Sequence, residues 1–151
     1  MRKESKMNHT NSLKTSFISI PENESLARVI CASFVSQLNP TLEELTDVKT
    51  AISEAVTNCI VHAYDGRADG MIQMNCAIDG EKVTFEIIDG GKGIEDIEKA
   101  MEPMYTSNPE AERSGMGFTV METFMDKISV NSIPGVGTKI HMTKLIKNRC
   151  L

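Results

Sequence analysis

Residues 53–58 read Ser53-Glu54-Ala55-Val56-Thr57-Asn58, and hydrophobic spacing predicts that they lie in a helix over residues 41–63. Thr41 and Glu44 fit a capping box at its start, and its apolar residues, Cys59 among them, form one buried stripe. Glu54, Asn58 and His62 are spaced i, i+4 and i+8, so they share a ledge beside the stripe. The sequence therefore places an acid and an amide where a site between a helix and a sheet needs its polar groups.

With this helix included, the hydrophobic patterns predict nine elements in the order β-α-α-β-β-α-α-β-β. The predicted strands cover 13–20, 71–78, a return strand through residues 83–87, 127–132 and 138–145, and the predicted helices cover 22–38, 41–63, 94–101 and 115–126. This order indicates an α+β fold, a two-layer α/β sandwich with a mixed, mostly antiparallel sheet and helices on one face. We expect residues 1–12 to be a flexible arm, 13–147 a single domain, and 102–114 a mobile lid.

Asp89 stands where the return strand ends. A hairpin is predicted at Asp79-Gly80, since both turn positions favour positive φ. Asp89 has the parity of the apolar residues Val83, Phe85 and Ile87, so its carboxylate is predicted to point to the core. A buried carboxylate requires a bonding partner. An exocyclic amino group such as that of adenine could donate the required hydrogen bond. The same residues also fit an aspartate that caps the turn at the end of a strand.

Two glycine-containing segments follow Asp89. Gly91 and Gly93 would allow the backbone to approach a flat ring closely. The run Arg113-Ser114-Gly115-Met116-Gly117 opens a predicted helix, whose free N–H groups and dipole favour a phosphate, and its arginine is suited to clamp the terminal one. A flexible hinge with a surface arginine fits this run equally. The spacings match neither a Walker loop nor a Rossmann fingerprint.

The helix ledge supplies the groups that a magnesium nucleotide requires. Mg²⁺ prefers oxygen ligands and keeps several waters, so Asn58 could bind it without adding a charge that repels a triphosphate. Glu54 could accept a proton from an attacking hydroxyl or water. Alone, the spacing of Glu54 and Asn58 also fits a solvated helix face. Thr138 on the last strand either helps to bind the adenine base or is a plain strand residue. Together and in this order, the segments predict a Mg-ATP site.

Bulk properties narrow the class of protein. The 151 residues carry a net charge of -5, which argues against direct nucleic-acid binding, because phosphate backbones require a basic surface. No apolar run approaches the roughly 20 residues of a membrane span, and no signal peptide is evident, so a cytoplasmic protein is expected. Cys31, Cys59, Cys76 and Cys150 are scattered without a CxxC pair, which favours small buried residues over disulfides or metal ligands.

The order of these segments is similar to that of the GHKL (Bergerat-type) ATP-binding fold, which gyrase B subunits and sensor histidine kinases share. Three runs, residues 24–29, 53–58 and 112–118, closely resemble the anti-sigma F factors of endospore-forming bacteria (stage II sporulation protein AB). The resemblance implies a homodimeric serine protein kinase that uses Mg-ATP. It also implies that the protein binds and inhibits sporulation sigma factor F and phosphorylates a serine of an anti-anti-sigma factor.

The resemblance also implies roles for individual residues. These are Glu54 as catalytic base, Asn58 as Mg²⁺ ligand, Asp89 and Thr138 as adenine contacts, Gly91, Gly93, Arg113, Ser114, Gly115 and Gly117 as the lining of the nucleotide site, and Arg28 as a contact for both protein partners. Gly90 and Lys92 depart from the acidic and apolar residues common in relatives. Two alternatives stay open: a switch kinase for another sigma factor, such as the general-stress one, and an ATP-gated sigma-binding protein without turnover.

Overall fold

The computed structural model describes residues 10–102 and 117–147. Its strands are β1 (Thr10–Ile18), β2 (Met71–Asp79), β3 (Lys82–Asp89), β4 (Lys127–Ile133) and β5 (Gly137–Leu145). Its α-helices are α1 (Glu22–Val35), α2 (Leu42–Thr57), α3 (Ile97–Ala100) and α4 (Gly117–Phe124). A 3₁₀ turn (Ser36–Leu38) follows α1, and a π-helix (Asn58–Ala63) continues α2.

The five strands form one sheet in the order β1-β2-β3-β5-β4, and all four neighbouring pairs are antiparallel. The α+β class is confirmed, but the mixed character predicted for the sheet is wrong for the described strands. The physical reason is the position of β5. It inserts between β3 and β4, which run in the same direction, so the crossover from β3 to β4 produces no parallel pair.

Helices α1, α2 and α4 form the layer on one face of this sheet, and α2 packs against both α1 and α4. The core between the layers is apolar, and the sheet side of α2 contributes Val48, Ile52 and Val56, none of which is exposed. The predicted start of α2 is confirmed as a capping box. Thr41 Oγ1 accepts the Glu44 N–H at 3.0 Å, and a Glu44 carboxylate oxygen accepts the Thr41 N–H at 2.9 Å.

Several predicted bounds differ from the observed ones. Strand β1 begins at Thr10, inside the predicted arm, because the β1–β2 ladder pairs Thr10 with Asp79. At the next hairpin only Gly80 has a positive φ (68°), whereas Asp79 pairs with Lys82, so the turn begins one residue later than predicted. Helix α3 is shorter than predicted. The rest of the arm, residues 1–9, lies outside the described residues, as do most of the predicted lid and the start of the helix predicted over 115–126.

Three cysteines, Cys31, Cys59 and Cys76, are buried and free, as predicted, whereas Cys150 lies outside the described residues. None of the helices within residues 10–102 and 117–147 is long and apolar enough to span a membrane.

Candidate nucleotide site

The site begins with Asp89, which ends β3 and lies beside Thr138 of β5 in the antiparallel register. As its parity predicted, Asp89 is buried, with 7% of its surface exposed. Asp89 Oδ1 accepts the Gly91 N–H at 2.9 Å. Asp89 Oδ2 lies 3.5 Å from Cys59 Sγ, and the thiol is the donor because an ionised carboxylate only accepts.

The electrostatics of Asp89 reflect two opposing effects. Burial raises the pKa of Asp89, because a low-dielectric surrounding disfavours the charged form. Hydrogen bonds from Gly91, Cys59 and Thr138 lower the pKa of Asp89, but burial prevails. A further donor from a ligand would therefore find an acceptor whose charge is only partly compensated.

The second part of the site is the helix ledge. A Cβ atom added to Gly117, the first residue of α4, would lie 3.2 Å from Asn58 Oδ1 and 3.5 Å from Glu54 Oε1. The structure therefore brings Glu54, Asn58 and Gly117 together, although Gly117 is distant in sequence. His62 is half-buried on the π-helix, whose wider turn removes it from the straight i, i+4, i+8 row that an α-helix would give.

The glycines after Asp89 have a structural requirement that the sequence did not reveal. A Cβ at Gly91 would lie 2.3 Å from the Ala63 carbonyl oxygen, and one at Gly93 would lie 2.5 Å from the Ile133 carbonyl oxygen. Gly93 also has a φ of +77°. Contact between backbone segments is therefore sufficient by itself to require glycine at these two positions, and the approach of a ring stays a prediction.

Main-chain hydrogen bonds hold the same loop on both sides. The Lys92 N–H donates to the Ala63 carbonyl at 3.0 Å, and the Lys92 carbonyl accepts the Gly135 N–H at 2.7 Å. Lys92 Nζ reaches Asp65 Oδ1 at 3.0 Å in an exposed ion pair. The loop is thus fixed between the end of the π-helix and the β4–β5 turn.

Sequence reasoning missed three residues that support the site. Tyr64 is buried, and its hydroxyl donates to the Met71 carbonyl and accepts the Gly90 N–H, both at 2.6 Å. Ser132 Oγ lies 2.8 Å from Thr138 Oγ1. For Cys59 the sequence predicts only a buried position in the apolar stripe of its helix. The stripe position of Cys59 together with the inward parity of Asp89 was the available signal for their contact.

The other predicted site residues lie apart from this group or outside the description. Arg113, Ser114 and Gly115 lie outside the described residues. Arg28 lies on α1, where its Nε is 2.8 Å from Glu24 Oε2 and its Nη2 donates to Ser25 Oγ at 3.0 Å. Glu24 also accepts a hydrogen bond from Ser53 Oγ, which links α1 to the residue before Glu54.

Known proteins are similar in sequence to this chain over almost its full length. The family model described as the histidine kinase-like ATPase domain matches residues 17–144. An anti-sigma F factor of Thermoanaerobacter sp. (strain X514) is 56% identical over 140 residues, 93% of this chain and 97% of that protein. One of Caldanaerobacter subterraneus subsp. tengcongensis is 54% identical over 144 residues, 95% of this chain and 100% of that protein. The chain belongs to the anti-sigma F factor family.

Solved structures agree on the fold of this anti-sigma F family member. The RsbU and RsbW domains of Rv1364c from Mycobacterium tuberculosis match with a TM-score of 0.64 at 19% identity, covering 90% of this chain and 32% of that one. The catalytic domain of the histidine kinase ThkA matches with a TM-score of 0.56 at 15% identity, covering 89% and 96%. At these identities the likeness shows the fold alone, and together with the match to the histidine kinase-like ATPase domain it confirms the predicted GHKL-type fold.

The residues of this family member fit a magnesium nucleotide. Asn58 and Glu54 bring an amide and a carboxylate to one place, the oxygen donor types that Mg²⁺ prefers. The absence of a side chain at Gly117 leaves the space beside them that a Cβ would occupy. Asp89 supplies the acceptor that an adenine amino group requires. The chemistry of the donor set therefore agrees with ATP and Mg²⁺.

Proposed function

We propose that the chain is an anti-sigma factor and a serine protein kinase that uses Mg-ATP. It binds and inhibits sporulation sigma factor F and phosphorylates a serine of an anti-anti-sigma factor. The observation that carries the proposal is the convergence of Glu54 and Asn58 on Gly117 at the start of α4. The identity of 54–56% with anti-sigma F factors over nearly the whole chain supports the partner assignment.

Binding of the nucleotide is divided between two ends of the site. Asp89 and Thr138 bind the adenine, with the loop of Gly91 and Gly93 beside it. Asn58 would hold Mg²⁺, which would supply positive charge to the phosphate oxygens. Arg113, Ser114, Gly115 and Gly117 would bind the phosphates, because the sequence predicts that this run opens a helix and free N–H groups at a helix start favour anions.

Phosphoryl transfer requires positioning and one proton acceptor. Glu54 accepts the proton of the incoming serine hydroxyl while the serine oxygen forms a bond to the γ-phosphorus. The bond between the γ-phosphorus and the oxygen that bridges it to the β-phosphate breaks, and ADP leaves. Glu54 suits this role because its carboxylate lies beside the Asn58 amide, at the space that Gly117 leaves open. Arg28, on the half-exposed face of α1, contacts both protein partners, and the protein acts as a cytoplasmic homodimer.

The decisive experiment follows γ-labelled phosphate from Mg-ATP to the anti-anti-sigma factor. Glu54→Gln should reduce transfer by about 10²–10⁴-fold, the usual contribution of a general base, with nucleotide affinity nearly unchanged. Glu43→Gln is the matched control, because Glu43 lies exposed in the first turn of the same helix. Asn58→Ala should instead weaken Mg-dependent nucleotide binding. Equal transfer by wild type and Glu54→Gln would remove Glu54 from the chemistry.

Two other results would change the proposed function. Absence of transfer, combined with ATP-dependent capture of a sigma factor, would indicate a nucleotide-gated binding protein without turnover. Stronger capture of a general-stress sigma factor than of sigma factor F, in a direct competition, would indicate a switch kinase of a different pathway.

A further inference from the structure

The first two residues of the π-helix that continues α2 face opposite ends of the candidate site. Asn58 lies against Gly117, at the predicted phosphate end, whereas Cys59 contacts Asp89, at the predicted base end. The change from α-helix to π-helix begins at Asn58. Cys59 is therefore part of the site's geometry, although the reaction described above uses no thiol.

The contact between Cys59 and Asp89 is shielded from water. Cys59 is 1% exposed and Asp89 is 7% exposed, and Sγ and Oδ2 lie 3.5 Å apart. Gly91 bonds the other carboxylate oxygen, Oδ1, at 2.9 Å. The carboxylate is thus held through both oxygens, by the thiol from the helix layer and the Gly91 N–H from the loop, and the Thr138 main chain adds a further hydrogen bond from β5.

A thiol has a particular effect in this place. It is a weak donor, so it orients the carboxylate but leaves most of the accepting capacity of Oδ2 for a stronger donor. An ionised carboxylate has about four acceptor sites, so one thiol and the two backbone N–H groups of Gly91 and Thr138 do not saturate it. An apolar side chain of similar size would leave the helix side of Oδ2 facing hydrocarbon, at a cost in free energy.

We propose that Cys59 is a positioning residue for the Asp89 carboxylate and thereby sets the preference of the site for a purine that carries a 6-amino group. The proposal rests on the proposed function, because it assumes that Asp89 binds adenine. It makes no use of Cys59 as a nucleophile. Burial and the neighbouring Asp89 charge raise the pKa of the Cys59 thiol, which agrees with an inert hydrogen-bond donor.

The first measurement tests the contact without nucleotide. Unfolding by urea is compared for wild type, Cys59→Ala, Asp89→Asn and the double variant. Cys59→Ala should lower the folding equilibrium constant by a factor that is about fivefold larger in the wild-type background than in the Asp89→Asn background. At 1.4 kcal/mol per tenfold, this coupling is about 1 kcal/mol. Equal losses in the two backgrounds would overturn the proposal, since the thiol and the carboxylate would then act independently.

The second measurement tests the consequence for the ligand. Affinities are measured for ATP and for purine riboside 5′-triphosphate, which lacks the 6-amino group. Cys59→Ala should weaken ATP binding by about five- to tenfold and leave binding of the analogue nearly unchanged, because only the amino group uses Asp89. Cys76→Ala, the same truncation at a buried core cysteine of β2, should leave the ratio of the two affinities at its wild-type value.

The outcomes separate this proposal from the proposed function. A Cys59→Ala variant that loses affinity for both ligands equally would overturn the positioning role and indicate a general packing defect. A wild-type protein that binds both nucleotides equally would overturn the adenine role of Asp89 itself, and with it the role of Cys59 in selectivity. Coupling in the absence of nucleotide together with a reduced ATP preference would support the proposal.

Discussion

Substitution of Gly91 by alanine should damage both the fold and the nucleotide site. The added Cβ would lie 2.3 Å from the Ala63 carbonyl oxygen and 2.6 Å from the Ala63 carbonyl carbon. Both are backbone atoms, so no side chain can rotate away to relieve the overlap. Gly91 does not have a positive φ, so the damage is steric and not conformational.

The magnitude follows from the choice between two movements. Either the loop shifts away from the π-helix and loses the Lys92–Ala63 hydrogen bond, or the π-helix end shifts and disturbs its own last turn. Overpacking of this kind costs about 1–3 kcal/mol, and with a backbone clash we expect the upper half of that range. For a chain of this length, 1 kcal/mol corresponds to about 2–4 °C, so Tm should fall by about 4–12 °C.

The neighbouring glycine provides the matched control. A Cβ at Gly90 would meet nothing closer than the Tyr64 hydroxyl oxygen at 3.7 Å, and its φ is not positive. Gly90→Ala should therefore be neutral or stabilise by up to about 1 kcal/mol, by reducing the freedom of the unfolded chain. Gly91→Ala should also weaken ATP binding, because the Gly91 N–H bonds Asp89 Oδ1.

Thermal unfolding and nucleotide titration of the two variants, measured side by side, test the reasoning. Equal Tm values for Gly90→Ala and Gly91→Ala would refute the assigned clash between Gly91 and Ala63. A destabilised Gly91→Ala that binds ATP with wild-type affinity would instead refute the link between the loop and the Asp89 carboxylate.

Two further predictions follow from the same site. Gly117→Ala should leave Tm within about 2 °C of the wild-type value, because alanine favours helix and the nearest atoms belong to side chains. It should nevertheless reduce phosphoryl transfer at least about tenfold by crowding Asn58 and Glu54. Unchanged transfer would show that the space beside Gly117 is not used. Burial raises the pKa of Asp89, so the folded protein binds the Asp89 proton more tightly than the unfolded chain does. The contribution of Asp89 to wild-type stability should therefore fall as pH rises from the pKa of the unfolded chain through the raised pKa of the folded protein. Urea unfolding of Asp89→Asn should accordingly show a stability, relative to wild type, that increases from acidic to neutral pH; a difference independent of pH would contradict the raised pKa of Asp89.

The sequence predicted those features that depend on local patterns. The capping box at Thr41, the inward parity of Asp89 and the order of the nine elements all follow from spacings of a few residues. The position of β5 between β3 and β4 did not follow, because strand order depends on pairing between distant segments. The same limit applies to the contacts of Gly117 with Asn58 and of Gly91 with Ala63, which join residues that no local pattern connects.

The loop beside Asp89 shows which of its features can vary without loss of the site. Its position is set by main-chain bonds of Lys92 with Ala63 and Gly135, which any residue other than proline can form at position 92. The Lys92 side chain adds an ion pair with Asp65 in which both side chains are about half exposed, at 47% and 58%. Such pairs contribute about 0–1 kcal/mol. The lysine at position 92 therefore alters only the surface of the loop. The path of the loop, and the Gly91 N–H that bonds Asp89, depend instead on the glycine at position 91.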